Sequence, residues 1–274
     1  MARYKLILAY DGTRFAGSQR QADKRTVQGC LEEALRQLGW AGRAVGMAGR
    51  TDAGVHASGQ VASFDLAGTH GDERLRSALN ATLPPDMAVS SLAQVPADFH
   101  PRYDAVSRTY LYRVICAPTR EPLRERYAWR IWPPPDLDAL VAAASAFLGD
   151  HDFRAFGTPS RQTSATLRNI TRSSWSVTDR ELEYLVTCGA FLFRMVRRMV
   201  FVQVAVAQGR TSPDALRASL ATGALALLQE AHKGLPAGLA PPRGLTLVGV
   251  AYDSSGLRMK RRVESVQDVL SEGR

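Results

Sequence analysis

Long hydrophobic runs are missing from this chain of 274 residues. Its most apolar stretch, Ala190 to Gln208, is interrupted by Arg194, Arg197 and Arg198, and three guanidinium groups in one span cost too much in hydrocarbon for a membrane-crossing helix. Cysteine is scarce. Cys30, Cys116 and Cys188 are odd in number, far apart and without Cys-x-x-Cys spacing, which excludes a disulfide framework and points to no zinc or redox site. They read as buried thiols in a reducing compartment. A leader pattern is also lacking, because the alternating run from Tyr4 to Tyr10 starts at once, so a cytoplasmic location is expected. Lysine occurs only at positions 5, 24, 233 and 260. Arginine therefore carries nearly all of the positive charge.

The charge that is present is one-sided: a formal net charge of +9 favours a polyanionic partner, since phosphates attract clustered cations at long range. A GC-rich genome produces the same arginine bias, so charge alone leaves nucleic-acid binding open. An apolar content of 45% over this length is enough to bury a core in each of two halves.

The order of elements repeats. Tyr4 to Tyr10 reads as a strand; Thr26 caps a helix with Val27, Leu31, Ala34, Leu35 and Leu38 on one face, ending at Gly39. Arg43 to Ala48 and Gln60 to Asp65 read as short strands joined by the glycine-bearing loop Gly49 to Ser58. A helix over Asp72 to Thr82 stops at Pro84-Pro85-Asp86, and Met87 to Val95 returns as a strand. Beyond Pro101, Val106 to Cys116 is a long strand, Asp136 opens a helix closed by Gly149, and Leu167 to Val177 with Leu182 to Thr187 form a hairpin. Ala190 to Gln208 is apolar nearly all round, as a buried helix would be. Ser212-Pro213 opens one more helix, and Leu245 to Tyr252 is a last strand. Each half is βαββαβ. The expected fold is α+β: two pseudo-symmetric ferredoxin-like halves, residues 1–104 and 105–274, with antiparallel or mixed sheets joined across a central active-site cleft. A charged, mobile tail is expected from about residue 255.

Chemistry concentrates in Gly49-Arg50-Thr51-Asp52-Ala53-Gly54-Val55-His56-Ala57. Small residues around one carboxylate let the backbone approach a ligand closely. Arg50, two residues before Asp52, is placed to pair with it and favour its ionised form. Read alone, the same pattern is an ordinary turn in which Asp52 bonds nearby amides. His56, four residues after Asp52, has no third ligand at a convincing spacing, so no metal is expected and the histidine reads as a loop hydrogen bonder.

Those nine residues resemble the signature loop of the TruA family of tRNA pseudouridine synthases. The resemblance continues through Tyr10-Asp11-Gly12-Thr13 to Gln21, Gly59-Gln60-Val61, Asn80 to Pro84, Phe99-His100-Pro101-Arg102-Tyr103, Arg108-Thr109-Tyr110-Leu111-Tyr112, His151-Asp152-Phe153 with Phe156, Phe191 with Met195-Val196-Arg197, and Gly244-Leu245, in family order from residue 4 to about 252. It implies cofactor-free conversion of uridine to pseudouridine at positions 38, 39 and 40 of the tRNA anticodon arm, on a base flipped out of its stack, by a homodimer. By the same resemblance Asp52 is the catalytic carboxylate, Arg50 holds the flipped state and Arg197 faces Asp52 from the buried helix. Tyr110 stacks on the uracil and takes the C5 proton, and Leu245 packs against the base. Thr51, His56, Phe153 and Arg102 are candidate substrate contacts. Arg14, Arg20, Arg25, Arg120, Arg124, Arg126 and Arg161 join Arg102 as candidates for phosphate. Phe153 and Phe156 serve equally well as core packing.

Two positions depart from the family pattern: Ser18 stands where tryptophan is usual, and Phe201 where glycine is common. The competing reading is a non-catalytic RNA-binding module on the same basic cleft, which the presence of both Asp52 and Tyr110 disfavours. An Asp-dependent hydrolase or metal enzyme needs a second carboxylate or a histidine cluster, and neither is found.

Overall fold

The computed structural model describes residues 1–68, 70–159, 164–178, 181–220 and 234–253. Arg161 and the tail from about residue 255 lie outside them. Among the described residues, ten strands and five α-helices follow in the order β1 (Ala2–Tyr10), α1 (Val27–Gln37), β2 (Gly46–Met47), β3 (His56–Leu66), α2 (Asp72–Thr82), β4 (Met87–Val95), β5 (Ala105–Cys116), β6 (Trp129–Ile131), α3 (Leu137–Ser145), β7 (Gly149–Asp152), β8 (Leu167–Thr178), β9 (Glu181–Cys188), α4 (Met195–Ala207), α5 (Pro213–Leu220) and β10 (Leu245–Tyr252).

Local chemistry explains the ends of the helices. Thr26 caps α1 by accepting the Gly29 amide, and the left-handed Gly39 follows its last turn. Asp136 caps α3 through the Ala139 amide, and the Ser212 hydroxyl accepts from Ala215 at the start of α5. The buried helix α4 starts at Met195 rather than Ala190, because Arg194 takes a left-handed φ of 63° that an α-helix cannot contain. Among the described residues no helix is long and apolar enough to cross a membrane.

One sheet runs through both repeats in the order β4-β1-β3-β10-β5-β9-β8-β7, with β2 beside β3 and β6 beside β5. Around the central strands the two repeats use the same order: β4-β1-β3-β2 in the first matches β10-β5-β9-β8 in the second. Pairing is antiparallel except between β5 and β6 and at the junction of the repeats, where β10 lies parallel to β3 through Thr246 with His56 and Leu247 with Ala57. That junction also extends β3 upstream to His56, four residues before the strand expected from local pattern alone. The carboxylate loop is correspondingly shorter and ends against the seam.

Alternation along β1 buries Tyr4, Leu6, Leu8 and Tyr10, and along β5 it buries Arg108, Tyr110, Tyr112 and Val114. Apart from Arg108, these side chains join Leu31 and Leu35 of α1, Leu79 of α2 and Met195, Met199 and Val202 of α4 in a continuous core. Burying a leucine or valine in such a core stabilises the fold by about 1.5–3 kcal/mol.

Candidate active site

Asp52 sits in the loop between β2 and β3, beside the seam where the repeats join. Its Oδ2 accepts a 2.8 Å hydrogen bond from Nη1 of Arg197, on the first turn of α4. Both side chains are mostly but not fully covered, 19% and 13% exposed, so water reaches the pair without screening it fully. The guanidinium is fixed from a second direction, because its Nε donates to the Ala240 carbonyl at 2.8 Å while the Ala240 amide donates back to the Arg197 carbonyl.

The loop itself is clamped residue by residue. The Gln60 side chain bonds both the amide and the carbonyl of Gly49. The Thr51 hydroxyl meets Tyr10 at 2.8 Å, and the Thr51 amide donates to the Ser18 hydroxyl at 2.8 Å. Gly12 has no room for a side chain, since a Cβ there would stand 2.0 Å from the Val55 carbonyl oxygen. His56 is buried, its Nδ1 accepting the Gly12 amide at 3.0 Å with Asp11 Oδ1 3.2 Å away. Burial pushes its imidazole below the ordinary histidine value while Asp11 pulls the other way. Thr51 and His56, both expected to contact substrate, are thus placed as supports of the loop.

Tyr110 projects from β5 toward the same loop, with its hydroxyl 3.9 Å from where a Cβ on Gly49 would lie. Its ring is edge-on to Phe191 at 5.2 Å. Among the described residues the hydroxyl has no hydrogen-bond partner. Burial raises the phenol well above the ordinary tyrosine range, Tyr10 and Asp52 adding to the rise and Arg108 opposing it, so it is protonated at neutral pH. Its neighbour Tyr112 is fully buried and donates to the Pro241 carbonyl at 2.8 Å. Leu245 opens β10 directly across from Tyr112 and is nearly buried. The chain reaches that position over the Tyr112 ring because Gly244 has no Cβ; one would stand 2.6 Å from the ring.

The remaining candidates lie apart. Arg50 is exposed and makes no ion pair among the described residues; the partner it was expected to be for Asp52 is Arg197, because α4 brings a guanidinium to the carboxylate that the loop's own backbone does not. Arg102 is exposed, over the Tyr103 ring at 5.8 Å. Phe153 is fully buried against Phe147 and Phe156, which is packing. Of the arginines marked for phosphate, Arg20, Arg25, Arg124 and Arg126 are held by Glu32, Asp86, Glu121 with Glu181, and Asp11 respectively. Arg14 and Arg120 are exposed.

Arg108 supports the loop in a way that the local sequence pattern does not announce. Its buried guanidinium donates to four carbonyls, those of Ala48, Arg102, Ala105 and Gly189. One cation thereby ties the residue preceding the carboxylate loop to two other segments. The available signal was a charged residue in phase with Tyr110 on a strand face that is otherwise apolar. The Phe201 departure is accommodated by Gly238, whose φ of 140° lets the backbone lie against the ring; a Cβ there would stand 2.5 Å from it. Arg198 then bonds the Pro236 and Gly238 carbonyls of that same segment.

A carboxylate held by a guanidinium, with a protonated phenol facing the same loop, thus lies at the seam of two repeated βαββαβ units. A sequence profile described as tRNA pseudouridine synthase matches residues 6–104 and 143–253, more than half of the chain. Proteins named tRNA pseudouridine synthase A are similar over almost the whole length: that of Xanthobacter autotrophicus is 39% identical over 92% of this chain and 100% of its own. The one from Methylobacterium nodulans is 39% identical over 94% and 98%, and the one from Myxococcus xanthus 39% identical over 92% of each. This chain belongs to the tRNA pseudouridine synthase family. A solved archaeal box H/ACA sRNP Nop10-Cbf5 complex overlaps 75% of this chain and 43% of that one at 10% identity, with a TM-score of 0.37, too loosely to bear on the fold.

Proposed function

We propose that the enzyme isomerises uridine to pseudouridine at positions 38, 39 and 40 in the anticodon arm of tRNA, with Asp52 as the catalytic carboxylate. The observation that carries this reading is the 2.8 Å contact between Asp52 and Arg197, which spans both repeats and leaves the carboxylate's other oxygen for substrate. The target base is flipped from its stack, at a cost of a few kcal/mol, and the exposed Arg50 is free to hold the flipped state. The N1–C1′ bond then breaks, the uracil turns, and C5 bonds C1′. Asp52 either adds covalently or stabilises the glycal or oxocarbenium-like species. N1 gains a proton and C5 loses one, so atoms balance and no cofactor is required.

Tyr110 supplies the face on which the uracil stacks and is the acceptor of the C5 proton. Its phenol is neutral at the start, so as its oxygen takes the C5 proton its own proton leaves to the solvent that also protonates N1, and the phenol ends as it began. Leu245 packs against the base. Residues 1–104 supply the carboxylate and 105–274 supply Arg197, Tyr110 and Leu245, so neither part works alone. We place the enzyme in the cytoplasm, as a homodimer around its tRNA. Chemical mapping of pseudouridine in tRNA after incubation tests the assignment: modification confined to positions 38 to 40 and lost in Asp52→Ala is expected, and modification elsewhere or in that variant contradicts it.

A further inference from the structure

We propose that Ser18 is a positioning residue for the reaction: its hydroxyl fixes the Thr51 peptide and thereby aims the Asp52 carboxylate at Arg197 and the substrate. The inference rests on Asp52 as the catalytic group. Ser18 is 1% exposed, and its contacts with Thr51 are reciprocal. The Thr51 amide donates to Ser18 Oγ at 2.8 Å, and the Ser18 amide donates to the Thr51 carbonyl at 3.0 Å. The Ser18 carbonyl in turn accepts the Gln28 amide at 2.9 Å in the first turn of α1. A rigid helix is thus coupled through one residue to the peptide immediately before Asp52.

The approach is as close as the backbone allows. Gly17 takes a φ of 105°, and a Cβ there would stand 3.0 Å from the Thr51 carbonyl oxygen and 3.5 Å from the carbonyl carbon of Asp52. On its other side Thr51 is held by Tyr10. Remove the Ser18 hydroxyl and the buried Thr51 amide loses its acceptor, so the peptide must turn to find another. Rotation of that peptide swings the Asp52 side chain, and reaction rates are sensitive to displacements of about 1 Å in such groups.

The test uses the full-length chain with Ser18→Ala, Ser18→Cys and Asp52→Ala, measuring single-turnover tritium release from tRNA carrying 5-tritiated uridine, tRNA Kd and Tm. Cysteine keeps the shape and offers a weaker acceptor. Ser18→Ala is expected to slow the saturated single-turnover rate about tenfold or more, equivalent to about 1.4 kcal/mol of barrier. Kd should stay near wild type, and Ser18→Cys should fall between. A wild-type saturated rate in both serine variants overturns the proposal, as does a loss that follows only the folded fraction or only Kd. Should Ser18→Ala not fold, Ser18→Cys alone decides by the same criterion. Asp52→Ala separates the two readings: turnover by that variant removes the catalytic assignment itself, whereas an inactive Asp52→Ala beside fully active serine variants removes only the positioning role.

Discussion

Nη1 of Arg197 stands 2.8 Å from Oδ2 of Asp52, 145 residues away in sequence, while its Nε is committed to the Ala240 carbonyl. Two directed bonds from one planar group are what lysine cannot reproduce. Arg197→Lys is therefore expected to retain charge and tRNA affinity but lose about tenfold or more in single-turnover rate. Arg197→Ala should lose more, because the carboxylate is left without its charged donor. Equal rates for Lys and Arg would show that charge alone matters.

Arg108 gives a stability prediction. Its four partners are backbone carbonyls, one of them fully buried and three partly so, with no carboxylate among them, and burial holds its pKa below the ordinary arginine value. Arg108→Met keeps the stem and strands those acceptors, at an expected cost of about 3 kcal/mol in denaturant unfolding. The exposed Arg36–Glu33 pair on α1 is the control: breaking it should cost no more than about 0.5 kcal/mol.

Acid should loosen the support of the loop. The folded His56 has a lowered pKa, so the unfolded chain binds its proton more readily; the stability this group contributes is present above the unfolded value and is lost as pH falls below about 6.5. Asp11 acts with the same sign further down. Burial opposes its ionisation, but bonds from Thr13, Arg126 and Tyr127 outweigh that and depress its pKa, so its contribution fades as pH falls below about 3.9. Urea midpoints across pH should show the upper step disappear in His56→Gln, and an unchanged profile there would contradict the linkage.

Tyr110 is predicted to show no ionisation below pH 10 in the free enzyme, since burial raises its phenol; ultraviolet titration against Tyr110→Phe checks this. In the same variant the C5 proton has lost its acceptor, and tritium release should stop while tRNA still binds.

Affinity for tRNA should fall steeply with salt, as phosphate contacts release counterions. Because Arg20, Arg25, Arg124 and Arg126 already have carboxylate partners, Arg14→Ala or Arg102→Ala should reduce the salt slope more than Arg25→Ala. A flat salt response rejects the basic-cleft reading.

Local signals in the chain reach far but stop at the seam. The limits of α2, β4 and β10 follow from proline stops and strand alternation, and Thr26 and Asp136 cap as their residue type dictates. What local pattern cannot encode is the parallel pairing of β10 with β3, which depends on two segments roughly 190 residues apart meeting edge to edge and which lengthens β3 at the expense of the loop. The contact of Asp52 with Arg197, 2.8 Å long, was legible only through the family resemblance, since the loop read alone is an ordinary turn. Ser18, Gln60 and Arg108 were not, because their parts are hydrogen bonds to backbone groups distant in sequence, and such bonds leave no periodic trace.

Asp52→Asn keeps the size and the hydrogen-bonding reach while removing the charge. Single-turnover tritium release from tRNA carrying 5-tritiated uridine is predicted to vanish in that variant while tRNA Kd stays near wild type; release at the wild-type rate would contradict the account.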